Sequence, residues 1–419
     1  MSADLRTALR DALADEPAFS VDAAAIADAG GRRARRRTGL AVAAAALSTT
    51  AVLAAVAVLS RPADPDPAPA PTEVVHLGLD SADEARLDVI ASTRTTWRDD
   101  GSDEFFRHDR LEGLTADGLV LRNRRTGPSV GALLGLLDPR TGTTDWLPDP
   151  PANLYGMQPL ALDVDRLVLG VGQGNGHSVL VFDRAARQWR REVVEVPYGL
   201  EVHVPPRLEL HEDRVYVGSI MEGNPGPMRW WSAPVPDGGP ADPEPDLEGA
   251  AATWGSGMRL TAHPDGRVVL TRAEGSTVVA EDLPAGCERP TDFPDAAPDV
   301  VLAGDVPVVT FPCEGSQVTM VYRPGEVPVA IRGVSALAGD DGHVVLATAR
   351  TFLGALMIEP GTPARTYLLD LDDLSLGRVG MGPHEVDVAL AAGMLLWNEP
   401  GPGDSKDAYD VVWKVARLD

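Results

Sequence analysis

Beyond residue 113 the chain alternates between turns rich in Gly, Asp and Pro and short apolar, often β-branched runs. The runs are Gly118-Leu119-Val120-Leu121, Asp165-Arg166-Leu167-Val168-Leu169, Asp213-Arg214-Val215-Tyr216-Val217, Asp265-Gly266-Arg267-Val268-Val269-Leu270, Asp305-Val306-Pro307-Val308-Val309, Asp341-Gly342-His343-Val344-Val345-Leu346 and Gly393-Met394-Leu395-Leu396-Trp397. Their first apolar residues stand at 119, 167, 215, 268, 306, 344 and 394, spaced by 48, 48, 53, 38, 38 and 50. β-Branched residues suit a pleated, half-buried surface, and Gly and Asp suit the turns between strands. A repeat of about 40–50 residues holding several strands predicts propeller blades.

A second element falls about 14–20 residues after several of these runs. It is a strand closing in Asp and followed by a tight turn, as in Leu136-Leu137-Asp138-Pro139, Val181-Phe182-Asp183-Arg184 and Leu368-Leu369-Asp370-Leu371. The Asp carboxylate accepts backbone N–H groups two residues on. The expected fold is therefore all-β, a propeller of about seven blades over 73–419, with an open β-sandwich pair as the structural alternative. The hairpin Val179–Asp183 to Gln188-Trp189 resembles those of kelch-type and quinoprotein-type propellers in architecture. Residues 73–113 read two ways. Ser81-Ala82-Asp83-Glu84 can cap a helix from Ala82 to Thr93, or Leu87-Asp88-Val89-Ile90 is a strand of an extra blade. The terminal strand Val411–Val415 is expected to close the ring by pairing with a strand near Val74–Leu77.

Upstream the pattern changes. Arg32, Arg33, Arg35, Arg36 and Arg37 precede an uncharged run of 23 residues, Thr38–Ser60, which ends at Arg61. About 20 residues of helix cross a bilayer. Four Leu, four Val and nine Ala make the run mildly hydrophobic. It predicts one transmembrane helix over 38–60, with the arginines holding the N-terminus in the cytoplasm. A cleaved signal peptide ending at Ala55-Val56-Ala57 is the rival, against which stands the 37-residue lead, far longer than a basic n-region. A buried soluble helix is the other alternative. Residues 61–72 form a Pro-rich spacer reaching ~37 Å in polyproline II. In the cytoplasmic tail, 1–37, Leu5, Leu9 and Leu13 share one face of a helix that Ser2 can cap and Pro17 ends. A second short helix runs from Ser20 through Val21 and Ile26 to Gly30-Gly31. Helices this short make no core, so the tail is a leash or a docking peptide that orders on a partner.

The tail carries Asp4-Leu5-Arg6-Thr7-Ala8-Leu9, Pro17, Val21-Asp22-Ala23-Ala24 and Gly31-Arg32-Arg33-Ala34-Arg35-Arg36-Arg37 before the span. This resembles a group of actinobacterial single-pass membrane proteins with a short cytosolic tail and an exported β-propeller. Some of those resemble accessory proteins that accompany extracytoplasmic-function sigma factors. The resemblance covers about 60 residues and implies a sigma factor as the cytoplasmic partner of 1–37.

Charge sharpens this division. Acidic residues exceed basic ones by 25; the tail is +1, the spacer −1 and the remainder −25. An acidic exported surface stays soluble and repels nucleic acid and anionic lipid. Its two cysteines, Cys287 and Cys313, are expected to bridge blades 4 and 5 in an oxidising compartment, two unpaired thiols being the alternative.

Candidate chemistry is sparse. Gly127-Pro128-Ser129-Val130-Gly131 matches a nucleophile elbow, but a polar turn precedes it and a β-type run follows, where strand and helix are required. Gly172–Gly176 lies between strands, with no helix N-terminus to face a phosphate. His177, His263 and His343 occupy turns that can converge at one rim or stay solvated singly. Asp370, Asp372 and Asp373 lack the Gly and bidentate Glu of a calcium loop. Trp230, Trp231 and Trp254 are core residues of a blade or an exposed sugar- or peptide-binding surface. No catalytic residue, metal site or cofactor follows from these motifs. The functional expectation is a membrane-anchored extracytoplasmic propeller that binds or senses an unidentified ligand or protein and regulates through its tail. Small faces at Ala43, Ala44, Ser48, Thr49 and Ala54 would let the span dimerise. The alternatives are a propeller hydrolase or lyase acting on a cell-envelope glycan, and a structural scaffold.

Overall fold

The punctuated apolar runs form seven antiparallel sheets, the blades of a propeller. The computed structural model describes residues 74–418 apart from 99–106, 127–131, 152–156, 174–175, 197–206, 220–226, 236–237, 292–295, 349, 353–354, 358–363, 383–387 and 402–407. The expected tail 1–37, its arginines Arg32, Arg33, Arg35, Arg36 and Arg37, the span 38–60 and the spacer 61–72 lie outside the described residues, as does Gly127–Gly131. No helix among the described residues is long and apolar enough to cross a membrane.

The described residues open with a strap of three strands, β1 (Val75–Leu77), β2 (Asp83–Glu84) and β3 (Asp88–Arg98). Blade 1 follows with β4 (Arg107–Leu114), β5 (Val120–Thr126), β6 (Leu133–Leu137) and β7 (Thr144–Trp146). Blade 2 holds β8 (Met157–Leu162), β9 (Arg166–Gln173), β10 (Gly176–Asp183) and β11 (Gln188–Glu195). Blade 3 holds β12 (Arg207–His211), β13 (Arg214–Ser219) and β14 (Arg229–Pro234); β15 (Gly239–Pro240) then reaches back to the edge of blade 2, and β16 (Asp242–Pro243) completes blade 3. Blade 4 holds β17 (Ala251–Gly255), β18 (Met258–Ala262), β19 (Val268–Arg272) and β20 (Gly275–Ala280). Blade 5 holds β21 (Asp299–Ala303), β22 (Val306–Cys313), β23 (Ser316–Val321) and β24 (Val329–Arg332). Blade 6 holds β25 (Ser335–Gly339) and β26 (His343–Ala347), then a side hairpin β27 (Arg350–Phe352) and β28 (Ala355–Met357), then β29 (Ala364–Asp370) and β30 (Leu376–Gly382). Blade 7 takes β31 (Val388–Ala391), β32 (Met394–Pro400) and β33 (Ala408–Arg417) from the chain end and β3 from its start.

The first strand of each blade touches the first strand of the next: β4, β8, β12, β17, β21, β25, β31 and back to β4. That closed ring of seven fixes the blade number. Each seam between blades has its own apolar cluster. Leu121, Leu134 and Leu169 fill the seam of blades 1 and 2, Ala303, Val321 and Leu346 that of blades 5 and 6, and Leu111, Val411 and Trp413 that of blades 7 and 1. Two glycines let neighbouring blades close up. A Cβ on Gly170 would stand 2.5 Å from Leu208 Cδ1, and one on Gly339 2.8 Å from the Ala303 Cβ. The Asp-led turns form as the sequence predicts. The Asp138 and Asp370 carboxylates accept the N–H two residues on, of Arg140 and Asp372, at 2.9 and 2.8 Å, and Asp183 accepts that of Ala186, three residues on, at 2.8 Å.

Three expectations are corrected. No helix occupies 82–93: the Ser81 hydroxyl bonds back to Gly78 O (2.7 Å), leaving no forward cap, and the β-branched run Val89, Ile90, Thr93, Thr95 and Thr96 extends β3. That strand is the outer strand of blade 7, not part of an extra blade. Ring closure accordingly pairs β33 with β3, Asp88 opposite Arg417 through Arg98 opposite Ala408, while Val75–Leu77 pairs with β24 of blade 5. Finally, the run at Val268 is the third strand of its blade, not the second as in the other six. The second strand is Met258–Ala262, which makes the spacings 48, 48, 43, 48, 38 and 50.

Candidate functional site

The seam of blades 3 and 4 differs from the others. Strand β12 reads Arg-Leu-Glu-Leu-His, and alternate residues point to opposite faces. Leu208 and Leu210 join the core between blades 2 and 3. Arg207, Glu209 and His211 therefore turn to blade 4. Arg207 Nε donates to Glu209 Oε1 at 3.0 Å, and each of the two side chains keeps a fifth of its surface exposed. The Arg207 Nη2 reaches past blade 4 to the Val300 carbonyl of β21 (2.9 Å), and the Thr253 hydroxyl of β17 donates to Glu209 Oε2 (3.2 Å). Inner strands of three blades thus meet on one ion pair. Burial pushes the Glu209 carboxyl up; Arg207 and Thr253 oppose that shift.

Aromatic rings continue the same seam. Tyr216, opposite Glu209 on β13, stacks on Trp254 with centroids 4.2 Å apart. Trp230 meets the Trp254 ring edge-on at 5.7 Å, and the His211 ring lies 6.4 Å from it. Burial raises the Tyr216 hydroxyl. Of the three tryptophans singled out in the sequence, Trp230 and Trp231 are buried, Trp230 donating its Nε1–H to Ala250 O at 2.8 Å; Trp254 is partly buried. The arrangement joins a fixed donor–acceptor pair to a partly open aromatic face. Such a surface can receive the hydroxyls and apolar face of a sugar ring, or a peptide.

The other sequence candidates do not assemble. In a four-stranded meander, turns alternate between the two edges of the blade. His177 and His263 adjoin second-to-third turns of blades 2 and 4, whereas His343 follows a first-to-second turn of blade 6, so the three do not share a rim. His177 is buried, its Nδ1 has no hydrogen-bond partner, and burial lowers its pKa; burial also lowers that of His263. His343 bonds Asp340, which raises its pKa. Asp370 spends its carboxylate on the turn N–H groups of Asp372 and Asp373. Among the described residues no three His, Cys, Asp or Glu side chains are placed to hold a metal ion. Gln173 pairs with Gly176, so the Gly-rich segment closes a hairpin. Cys287, between blades 4 and 5, and Cys313, ending β22, form a disulfide with Cα atoms 5.1 Å apart. Arg207, Glu209 and Thr253 were not singled out by the motifs. Their one signal is two charges alternating with leucine on a strand.

No protein-family model matches the chain, and no curated protein matches it. Solved structures do. The β-propeller domain of the trilobed protease from Pyrococcus furiosus shares 10% identity over 70% of this chain and 89% of its own, with a TM-score of 0.45. An uncharacterized protein from Listeria monocytogenes shares 8% identity over 72% of this chain and 97% of its own (TM-score 0.47). The oligogalacturonate lyase from Vibrio parahaemolyticus shares 12% over 79% and 98% (TM-score 0.46). At these identities the likeness is one of fold.

Proposed function

We propose that this propeller is a membrane-anchored, extracytoplasmic binding module whose ligand meets the Arg207–Glu209–Thr253 patch and the half-buried ring of Trp254. The observation that supports this is the contrast between seams: a fixed ion pair and stacked, partly exposed rings between blades 3 and 4, buried apolar clusters in the seams beside them. A preorganised pair loses little freedom when a ligand binds. A formal charge of −25 on the chain disfavours polyanions, so a neutral cell-envelope glycan is the ligand class of choice. The span 38–60 holds the domain outside, and the tail 1–37 offers a cytoplasmic regulatory partner, such as a sigma factor, a place to dock. The test is equilibrium binding of neutral and acidic cell-envelope glycan fractions to the full chain in detergent. Binding of the neutral fraction, weakened tenfold or more by Trp254→Ala, is the expected result. Equal binding by the wild type and that variant would sink the assignment.

Glu209 favours a second reading. A carboxyl raised by burial is one able to act as a general acid, which fits a glycan hydrolase or lyase. New reducing ends or unsaturated products that vanish in Glu209→Gln would establish this reading over simple binding.

A further inference from the structure

Arg259 brings a further donor to the seam of blades 3 and 4. It stands on β18 opposite Trp254 of β17, and opposed residues of an antiparallel pair share one face of the sheet. Met258, Leu260 and Ala262 turn the other way, into the core of blades 4 and 5, so Arg259 and Trp254 look toward blade 3. There the Arg259 charge acts on the hydroxyl of Tyr216, whose ring stacks on Trp254. The Arg259 Nε–H is buried and has no hydrogen-bond partner among the described residues. A buried donor without an acceptor loses its hydration and gains nothing in return. The nearby arginines are engaged. Arg207 holds Glu209 and the Val300 carbonyl. Arg214 Nη2 donates to Ser232 Oγ at 2.7 Å, and that hydroxyl donates to Glu244 Oε1 at 2.5 Å. Tyr216 thus lies between two carboxylates, opposite Glu209 on β12 and opposite Ser232, with its Glu244, on β14.

We propose that Arg259 is a specificity-determining residue, whose Nε–H takes the carbonyl oxygen of an N-acetyl group on the sugar that meets Trp254. The inference rests on the binding reading above and narrows its ligand to a neutral, N-acetylated amino-sugar oligomer. Arginine is a donor only, so the ligand must bring the acceptor. A carboxylate would satisfy Arg259, but it would enter between Glu209 and Glu244 in a chain of formal charge −25. A free amine, as on a deacetylated sugar, would set a second cation against Arg259 and bring no acceptor. A hydroxyl brings a donor of its own that needs a further partner. An acetamido group brings an uncharged carbonyl oxygen for Arg259, and its methyl group is apolar enough to lie against an indole ring. Its planar, part-apolar shape therefore matches a lone donor beside an aromatic ring better than any of these alternatives.

The test is calorimetric titration of the full chain in detergent with β-1,4-linked oligomers of N-acetylglucosamine and of glucose, equal in length and differing at the acetamido group. A hydrogen bond of ordinary strength corresponds to roughly a tenfold change in affinity. The wild type is expected to prefer the acetylated oligomer by about that factor. Arg259→Met, which keeps the apolar stem and removes the donors, should lose the preference and bind the glucose oligomer as the wild type does. Its melting midpoint should be equal to or above that of the wild type, since an unsatisfied buried donor is gone; a residue needed for packing alone would lower it. Equal binding of both oligomers by the wild type, each weakened by Trp254→Ala, would overturn the role of Arg259 and leave the binding surface standing. A preference that survives in Arg259→Met would do the same. Tighter binding of a glucuronate oligomer than of the acetylated one would assign Arg259 to a carboxylate instead, and no binding of any oligomer would overturn both readings.

Discussion

Removing the last strand tests the closure of the ring most directly. A chain ending at Asp410 loses Val411–Arg417 of β33, which pairs with β32 on one side and β3 on the other. Val411, Trp413, Val415 and Ala416 are each at most 4% exposed. At 1.5–3 kcal/mol for each large side chain and ~0.8 for a methyl, their burial is worth about 8 kcal/mol. Domains of ordinary stability have ~5–15 kcal/mol in total, so this one loss is comparable to the whole. The truncation also strips β3 of its partner and leaves the seam of blades 7 and 1 facing water. Trp413→Ala is the milder arm; it leaves the backbone ladders intact and should cost ~3–5 kcal/mol. Thermal denaturation followed by circular dichroism, with size-exclusion chromatography at each temperature, measures both. The expected order of midpoints is wild type, then Trp413→Ala, then the truncated chain, the last aggregating or lacking a cooperative transition. A truncated chain that stays monodisperse and melts at the wild-type temperature would refute the account of closure.

Further outcomes are expected. Mass spectrometry of unreduced digests should show Cys287 and Cys313 peptides linked, and replacing both by Ser should lower stability by ~2–4 kcal/mol in denaturant titrations; alkylation of both thiols in the native protein would contradict this. A reporter fused after Asp419 should be active only outside the cytoplasm, and activity inside would remove the anchor from the proposed function. His343 is raised above its usual 6.5 by Asp340, so its contribution to stability is full below that value and fades as pH rises through the raised one. Midpoints measured across that range should therefore fall less steeply in His343→Gln than in the wild type; identical slopes would discard the pair as a contributor.

How much of this was legible depends on distance along the chain. Six second strands announced themselves because an Asp or Gly turn and an apolar run are adjacent in sequence. Blade 4 was misphased because Met258-Arg259-Leu260-Thr261-Ala262 is interrupted by Arg and Thr, whereas Val268-Val269-Leu270 is a clean run behind an Asp-Gly turn. The polar strand β3, with Arg94 and three threonines before Trp97, carries little apolar signal. Its partner lies more than 300 residues away, so pairing could be expected in principle but not assigned to the right strand. The site was hidden for the same reason. Arg207 and Glu209 stand two residues apart, but Thr253 and Val300 reach them only once blades 4 and 5 are in place.

The strap also sets a timetable. β3 emerges before β33, the last of the described strands, and must wait for it because Asp88 pairs with Arg417. At ~5–20 residues per second the wait is on the order of 15–65 s, long enough for the six blades between to form first. Ring closure then follows the six blades between, and until it occurs β3 is an orphan of eleven residues. Its threonines and arginines suit that interval, since a polar strand can linger unpaired without seeding aggregates. Pulse-labelled nascent chains should keep β3 open to protease until the chain end is released; early protection would show that blade 7 does not assemble last.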